Sequence, residues 1–386
     1  MASYDPNLRR ETALARKLIT HIHAHGPITV DAYMDACLND HEFGYYRTRT
    51  AIGCAGDFIT APEISQVFGE LIGLWCAVVW QQMGSPARIN LIELGAGRGT
   101  LMADALRATR VLPKFRSAVA VHILDQNPVL IAMQRTAMDA SGVNALWHET
   151  LDALPSDQPS IWIGNEFLDT IPVRQFVRRD GRWSVRAIGL DDAGRLAFVT
   201  PPDDWIVRTD DAMLDRLDGK ISNDGVVIEN QLMASVTDTL QRCAGRAPLA
   251  ALFVDYGHKG AGKIDTLQAV RAHQTEHVLT SPGEADLSCQ VDFEDFAFKA
   301  SLVIDSAGRK RAPSLNVDGP VTQSEFLGQL GIMERASRLM AMNPAKANAL
   351  ETGVARFMAP QGMGTRFKAI GLRSPELPTL PGFWQG

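Results

Sequence analysis

Short apolar runs separated by longer segments of mixed polarity set the pattern of this 386-residue chain. Each run is apolar on both faces and gives way to polar or glycine residues at its end, which is typical of buried parallel strands joined by crossover helices. The predicted strands are Ile89–Leu94, Ala118–Leu124, Asn144–Trp147, Ser160–Gly164 and Leu249–Val254. The pattern predicts an α/β fold with a doubly wound, mainly parallel sheet.

Helical periodicity and turn sequences define the parts outside this sheet. Leu8–His25 is amphipathic and is stopped by Gly26 and Pro27, which predicts a first helix. Residues 28–50 predict a second helix followed by a loop. Residues 174–200 alternate between apolar and polar positions around R-D-G-R and D-D-A-G turns, which predicts an inserted hairpin. Later elements are predicted helices at Val226–Ala244, Ser324–Leu330 and Ala345–Phe357 and a last strand at Ala369–Leu372.

These elements predict three regions, since the chain is too long for one small domain. Residues 1–86 form a helical N-terminal region and a lid. Residues 87–300 form the core, with the hairpin insertion around 174–224. Residues 301–386 form a helical extension that returns to the core.

The stretch that follows the first predicted strand, E-L-G-A-G-R-G-T, predicts a nucleotide-binding turn. Its glycines stand at Gly95, Gly97 and Gly99, whereas a dinucleotide fingerprint would need a glycine at Thr100. A carboxylate at Glu93 favours a ligand with a cationic group nearby, such as the ammonium of S-adenosylmethionine, and would repel a pyrophosphate. An NAD-dependent oxidoreductase is the weaker alternative.

Polar residues near the turn extend the predicted cofactor site. Asp125 ends the second strand, where a doubly wound fold binds ribose hydroxyls, although it could instead cap the next helix. The segment Gly56–Ser65 carries Asp57 and Thr60 around a loop and a helix start at Pro62. It is either a lid over the cofactor or a capped helix.

A second group of polar residues follows the fourth and fifth strands. Asn165, Glu166 and Asp169 lie where the second substrate of an open α/β sheet should react. Their carboxylates could hold a guanidinium or ammonium group, or stabilise a helix N-terminus. Tyr256 and His258, after the fifth strand, could line the same pocket.

Composition excludes several classes of function. The net charge is −6 and the chain has no basic block, which argues against nucleic acid as a partner. Five scattered cysteines without C-x-x-C spacing favour neither a disulfide framework nor a zinc site, and they fit a reducing cytoplasm. The apolar run Leu71–Val79 is too short to span a membrane, and no hydrophobic signal core is visible at the N-terminus.

Five ordered motifs resemble, nearly end to end, the mitochondrial complex I assembly factors that are protein arginine methyltransferases, together with their bacterial relatives. The motifs are G-D-F-I-T-A-P-E-I-S at 56–65, E-L-G-A-G-R-G-T at 93–100, N-E-F-L-D-T-I-P-V at 165–173, V-D-Y-G-H at 254–258 and P-G-E-A-D-L-S-C-Q-V-D-F at 282–293. Many relatives carry alanine and histidine at Cys289 and Gln290, so that pair receives no role. The resemblance implies a class I, Rossmann-like S-adenosylmethionine-dependent methyltransferase fold. For the mitochondrial members it also implies arginine dimethylation on a core subunit of the NADH dehydrogenase complex.

The residues and the resemblance together lead to hypotheses for the cofactor, the acceptor and the site residues. The predicted cofactor is S-adenosylmethionine, and the predicted acceptor is a protein such as a subunit of respiratory complex I. No metal ion is predicted at the site. The alternative to an enzyme is a cofactor-binding assembly scaffold without turnover. The predicted cofactor-binding residues are Glu93, Gly95, Gly97, Gly99, Asp125, Asn165, Asp57 and Thr60, and the predicted catalytic residues are Glu166, Asp169, Tyr256 and His258.

Overall fold

The computed structural model describes residues 8–48, 60–201, 205, 224–260, 265–304, 310–311 and 315–384. The chain divides into two compact units. The first comprises Met1–Ala51, Thr170–Leu232 and Ala261–Gln290, and the second comprises Ile52–Asp169, Met233–Gly260 and Val291–Gly386. The three-part division predicted from the sequence stays a prediction, because compactness alone does not define a domain that folds by itself.

Several of the helices begin after a residue whose side chain caps the first turn. The first helix starts at Ala13 rather than at Leu8 because the Thr12 hydroxyl accepts a hydrogen bond from the Ala15 N–H, and it ends at Gly26 as predicted. In chain order the α-helices in the described ranges are α1 Ala13–His25, α2 Val30–Asn39, α3 Tyr45–Thr48, α4 Ala61–Ile64, α5 Gln66–Gln82, α6 Thr100–Ala108, α7 Pro113–Ala118, α8 Pro128–Ser141, α9 Ala234–Ala244, α10 Phe293–Ser301, α11 Gln323–Gln329, α12 Ile332–Met342 and α13 Ala347–Met358.

The strands match the five predicted parallel strands closely and add short antiparallel ones. In chain order they are β1 Ile28–Thr29, β2 Ile89–Leu94, β3 Val119–Leu124, β4 Ala145–His148, β5 Ser160–Asn165, β6 Val173–Arg179, β7 Arg182–Val185, β8 Ala187–Leu190, β9 Leu196–Val199, β10 Val227–Gln231, β11 Leu249–His258, β12 Gln268–Arg271, β13 Gln274–Glu276, β14 Asp286–Ser288, β15 Val291–Asp292, β16 Val303–Ile304, β17 Lys310–Arg311, β18 Asn316–Thr322 and β19 Phe367–Arg373.

The second unit is built on one large sheet in the order β18-β19-β11-β5-β2-β3-β4, with β15 added beside β11. The strands β4, β3, β2, β5 and β11 run parallel, and β19 is antiparallel to both of its neighbours. From β2 the chain first moves outward through β3 to β4 and then returns to β5 on the other side of β2. This reversal of direction creates a switch point between β2 and β5, where ligands of open α/β sheets bind.

In its described residues, the first unit contains three small antiparallel sheets, β1-β8-β9, β10-β6-β7 and β13-β12-β14. The predicted hairpin region appears as the pairs β6–β7 and β8–β9. The prediction of one helix over Val226–Ala244 is wrong in its first part. Val227–Gln231 is a strand paired with β6, because this pairing buries Ile228 in a cluster with Phe176 and Trp183.

Helix α5 is the central helix of the second unit and is buried along most of its length. It approaches α6 very closely at two glycines one turn apart. A Cβ atom at Gly73 would lie 2.5 Å from the Cα of Ala105, and one at Gly69 would lie 2.7 Å from the Cβ of Asp104. The apolar run predicted to be too short for a membrane is therefore a core helix. In the described parts of the chain we find no helix with the length and apolarity that a membrane crossing requires.

We predict that Gly73→Ala lowers the free energy of unfolding, although alanine is the better helix former by about 1 kcal/mol. The added methyl group would meet the backbone of α6, and such overpacking costs about 1–3 kcal/mol. The matched control is Gly328→Ala in α11, where the nearest atom to a new Cβ is the Met358 methyl carbon at 3.8 Å. Chemical denaturation should show a lower free energy of unfolding for Gly73→Ala and a higher one for Gly328→Ala. Equal stabilisation of both variants would contradict the close contact between α5 and α6.

Candidate active site

The carboxyl ends of the parallel strands bring the predicted site residues to one edge of the sheet. Leu94 in β2 pairs with Leu124 in β3 and with Gly164 in β5, and Asn165 pairs with Val254 in β11. The residues that follow these pairs therefore stand at the same level on neighbouring strands. They are Gly95, Asp125, Asn165 and, one residue further, Glu166 beside Asp255.

The glycine turn after β2 depends on backbone angles that other residues rarely adopt. Gly95, Gly97 and Gly99 have φ angles of 66°, 53° and 81°. A Cβ atom at Gly95 would lie 3.2 Å from the Phe167 ring, and one at Gly99 would lie 3.2 Å from the Cα of Gln134. The turn is thus both conformationally restricted and closely packed at its two ends.

Glu93 is a buried carboxyl group with one oxygen that has no hydrogen-bond donor among the described residues. Its side chain is 3 % exposed, and its Oε2 atom accepts no hydrogen bond from the described part of the chain. Burial, and secondarily the charge of Asp125, raises the pKa of Glu93 to about 8. A ligand with an ammonium group would supply the missing donor and the missing charge, so this residue fits S-adenosylmethionine.

Asp125 is bound at both carboxylate oxygens. Its Oδ1 accepts from the Asn127 N–H at 2.9 Å, and its Oδ2 accepts from Nε2 of Gln134 at 2.6 Å. Burial raises the pKa of Asp125. The N-terminal cap of α8 is Asn127, whose Oδ1 accepts from the N–H groups of Val129 and Leu130. Asp125 is therefore not the residue that caps α8.

Gln134, which was assigned no role from the sequence, lies in the middle of α8 and is completely buried. Besides Asp125, its Nε2 donates to the Gly97 carbonyl at 2.8 Å, and its Oε1 accepts from the Trp147 indole at 2.9 Å. A polar residue at a buried helical position was the available signal, but helical periodicity alone does not indicate its partners.

The helix α4 connects the glycine turn with the loop after β5. Glu63 accepts hydrogen bonds from Arg98, with Nη1 at 3.2 Å, and from the Thr100 hydroxyl. At the other end of α4, the Ala61 N–H donates to Oε1 of Glu166 at 2.9 Å. Thr60 is the residue before α4, and the predicted cofactor residue Asp57 lies outside the described residues.

Glu166 adopts a strained backbone conformation at the start of the loop after β5. Its φ angle is 51°, which is uncommon for a residue with a side chain. Its N–H donates to the Val254 carbonyl at 2.9 Å, and its Oε1 also accepts from the Asn165 amide at 3.1 Å. Burial raises the pKa of Glu166. The Oδ1 atom of Asn165 is buried and finds no donor in the described ranges.

Asp255 belongs to the motif V-D-Y-G-H and directly follows the apolar core of β11, but the sequence assigned it no role. Its fully buried carboxylate accepts from the N–H groups of Leu168 at 2.8 Å, Asp169 at 3.2 Å and Tyr256 at 2.9 Å. Burial, and secondarily the charge of Glu166, raises the pKa of Asp255 to about 8. Asp255 thus holds the backbone from which the buried Asp169 side chain projects.

Tyr256 and His258 alternate with Asp255 along β11, so their side chains lie on the opposite face of that strand. The Tyr256 ring packs against Phe367, with ring centroids 5.7 Å apart. The Nδ1–H of His258 donates to the Gly260 carbonyl at 2.7 Å. The structure therefore brings Asn165, Glu166 and Asp169 together, while the catalytic roles of Tyr256 and His258 stay predictions.

Comparison with known proteins places this geometry in one family. A profile of S-adenosyl-L-methionine-dependent methyltransferases matches residues 71–305. The chain is 31 % identical to the mitochondrial protein arginine methyltransferase NDUFAF7 of Danio rerio, over 92 % of this chain and 86 % of the relative. It is 33 % identical to the Rattus norvegicus protein of the same name, over 94 % and 84 %.

A solved structure extends the likeness to the cofactor. It is the crystal structure of a Burkholderia thailandensis protein, described as a methyl transferase, with S-adenosyl-homocysteine bound. The two structures superpose with a TM-score of 0.81 at 26 % sequence identity, over 97 % of this chain and 95 % of the other. S-adenosylmethionine is therefore the cofactor, and the fold predicted from the sequence is confirmed. The chain belongs to the family of S-adenosyl-L-methionine-dependent methyltransferases that includes the mitochondrial NDUFAF7 proteins.

Proposed function

We propose that this methyltransferase transfers the methyl group of S-adenosylmethionine to an arginine side chain of a protein acceptor. The observation that carries the proposal is Glu166, a strained and partly buried carboxylate next to Asn165 and Asp169 at the switch-point edge of the sheet. The names of the relatives, protein arginine methyltransferases, support the choice of arginine as the acceptor.

The cofactor half of the site consists of Glu93, Asp125 and the glycine turn. Glu93 would pair with the ammonium of the cofactor, and Asp125 would accept hydrogen bonds from its ribose. When bound, the cofactor supplies a sulfonium methyl group that is already activated for in-line displacement. The protein mainly contributes alignment and the exclusion of water.

The acceptor half of the site is centred on Glu166. Two donors occupy its Oε1 atom, the Ala61 N–H and the Asn165 amide, and fix the orientation of the carboxylate. The Oε2 atom is then the one to bind a guanidinium N–H, which stabilises the positive charge and orients the attacking nitrogen. Asp169, 7 % exposed, would hold a second N–H of the same group.

The identity of the acceptor and the compartment belong to the same proposal. The names of the relatives favour a protein acceptor, and we suggest a subunit of respiratory complex I as the first to test. Cys37, Cys76 and Cys243 carry buried thiols outside any disulfide, which supports a reducing compartment such as the cytoplasm.

We predict that cofactor binding releases a proton from Glu93. With a pKa of about 8, the free carboxyl is protonated near neutrality, and a neighbouring ammonium lowers that pKa. At about pH 6.5 the amine of the ligand is fully charged, so binding of S-adenosyl-homocysteine should release up to about one proton. Calorimetry in phosphate and imidazole buffers, which differ in ionisation enthalpy, measures this, and Glu93→Gln is the control that should release none. Equal proton release by both proteins would remove Glu93 from the ammonium site.

We predict that Asp125→Ala weakens cofactor binding by about 1–3 kcal/mol, because ribose hydroxyls would lose their acceptor in a partly buried site. The matched control is Asp139→Ala, which removes an exposed carboxylate from α8, the helix that begins just after Asp125. Calorimetric titration with S-adenosyl-homocysteine gives both dissociation constants. An unchanged dissociation constant for Asp125→Ala would mean that Asp125 does not bind the ribose and only accepts the hydrogen bond from the Asn127 N–H at the start of α8.

We predict that Glu166→Gln leaves cofactor affinity nearly intact and reduces methyl transfer on the order of 10²-fold or more. Glutamine keeps an acceptor for Ala61 and removes the charge that would face the guanidinium. The assay supplies labelled cofactor and lysate from a strain that lacks the enzyme, and mass spectrometry then locates the label. Glu351→Gln, an exposed position on α13, is the matched control and should retain full activity.

The possible results of this assay separate the parts of the proposal. Label on lysine, on a small molecule or on nucleic acid would refute the arginine assignment. Full activity of Glu166→Gln would remove Glu166 from the site. No transfer by the wild-type protein to any lysate component, despite cofactor binding, would favour a cofactor-binding scaffold.

A further inference from the structure

We propose that Gln134 is a positioning residue of the cofactor site, whose side-chain amide holds Asp125 and the glycine turn in one arrangement. The amide of Gln134 lies between the glycine turn after β2, the residue that follows β3, and the end of β4. The inference rests on the proposed function of Asp125 as the acceptor for the cofactor ribose.

The hydrogen bonds of Gln134 use both amide protons. Nε2 donates to Oδ2 of Asp125 at 2.6 Å and to the Gly97 carbonyl at 2.8 Å, while Oε1 accepts from the indole of Trp147 at 2.9 Å. A primary amide has two N–H donors, so both are committed in these contacts. Gly97 lies in the turn after β2, Asp125 directly follows β3, and Trp147 belongs to β4. One side chain therefore joins the carboxyl ends of three adjacent strands.

The bond to the Gly97 carbonyl also fixes the direction of a backbone donor. The peptide unit between Gly97 and Arg98 is planar and trans, so its N–H points away from its carbonyl. Because the carbonyl faces Gln134, the Arg98 N–H faces away from α8. With Gln134 in place, the glycine turn presents this donor in one direction; without it, the peptide unit loses the contact that selects that direction.

The close packing at Gln134 makes the arrangement sensitive to substitution. A Cβ atom at Gly99 would lie only 3.2 Å from the Cα of Gln134, so the turn and the helix backbone are already in tight contact. A replacement side chain at position 134 therefore cannot move α8 towards the turn to restore the bonds. The Asp125 carboxylate and the Gly97 carbonyl would then lose a buried donor.

The test is a double-mutant cycle on cofactor affinity. Calorimetry with S-adenosyl-homocysteine is performed on the wild-type protein, Gln134→Leu, Asp125→Ala and the double variant. We expect each single variant to bind about ten- to a hundredfold more weakly. The double variant should bind clearly better than the product of the two losses implies, because Gln134 has no carboxylate to position once Asp125 is absent. A double variant that shows the full product would overturn the inference.

Folding and the underlying assumption are controlled separately. Thermal unfolding would test whether Gln134→Leu is folded. Gln134→Glu is a second variant of equal size, and it should weaken cofactor binding by placing a carboxylate against Asp125. Wild-type affinity in folded Gln134→Glu or Gln134→Leu, together with weakened Asp125→Ala, would overturn the role of Gln134 and leave the role of Asp125 intact. Wild-type affinity in Asp125→Ala would instead refute the ribose contact, and with it the coupling between Gln134 and Asp125. Asp139→Ala should bind normally throughout.

Discussion

The burial of carboxylates at the carboxyl edge of the parallel sheet is the constraint on which the rest of the site depends. A buried charge is costly unless hydrogen bonds or an opposite charge compensate it. Asp255 receives three backbone N–H groups, and Asp125 and Glu166 each receive two donors. Oε2 of Glu93 lacks such a donor in the described chain. The local loops are thus arranged to satisfy the first three carboxylates, whereas Glu93 is left for the ligand.

The helix α4 gives the two halves of the site a common support. Its carboxylate Glu63 contacts the residues Arg98 and Thr100 of the glycine turn, and its first N–H, from Ala61, orients Glu166. A displacement of α4 would therefore disturb the cofactor turn and the acceptor carboxylate together. This arrangement offers a physical route by which occupation of one half could influence the geometry of the other.

The sequence predicted the sheet, and it placed part of the candidate site at the ends of the strands, because apolar runs and their terminal residues depend on local chemistry. The five parallel strands, the glycine turn and the positions of Glu93, Asp125 and Glu166 follow from runs that end in polar residues. Gln134 and Asp255 were assigned no role from the sequence, because their hydrogen-bond partners are distant in the chain and hydrophobic periodicity does not indicate them. Gln134 donates to the Gly97 carbonyl, and Asp255 accepts from the Leu168 N–H. The same reason explains the strand β10, which was predicted as helix: its pairing with β6 overrides a pattern that either element could satisfy.

The raised pKa values also connect stability with ligand binding. For Glu93 and Asp255, each with a pKa of about 8, the folded protein keeps a proton that the unfolded chain releases at a pH of about 4. Their contribution to the free energy of unfolding is therefore full below that lower pH and is lost as the pH rises towards 8. A bound ammonium beside Glu93 would lower the pKa of Glu93 and so restore the free energy of unfolding that this residue loses at higher pH. The loss due to Asp255 would remain, because its neighbours are backbone donors and Glu166. The burial of Glu93 without a partner thus lowers the stability of the free protein as the pH rises, and the same burial favours a cationic cofactor.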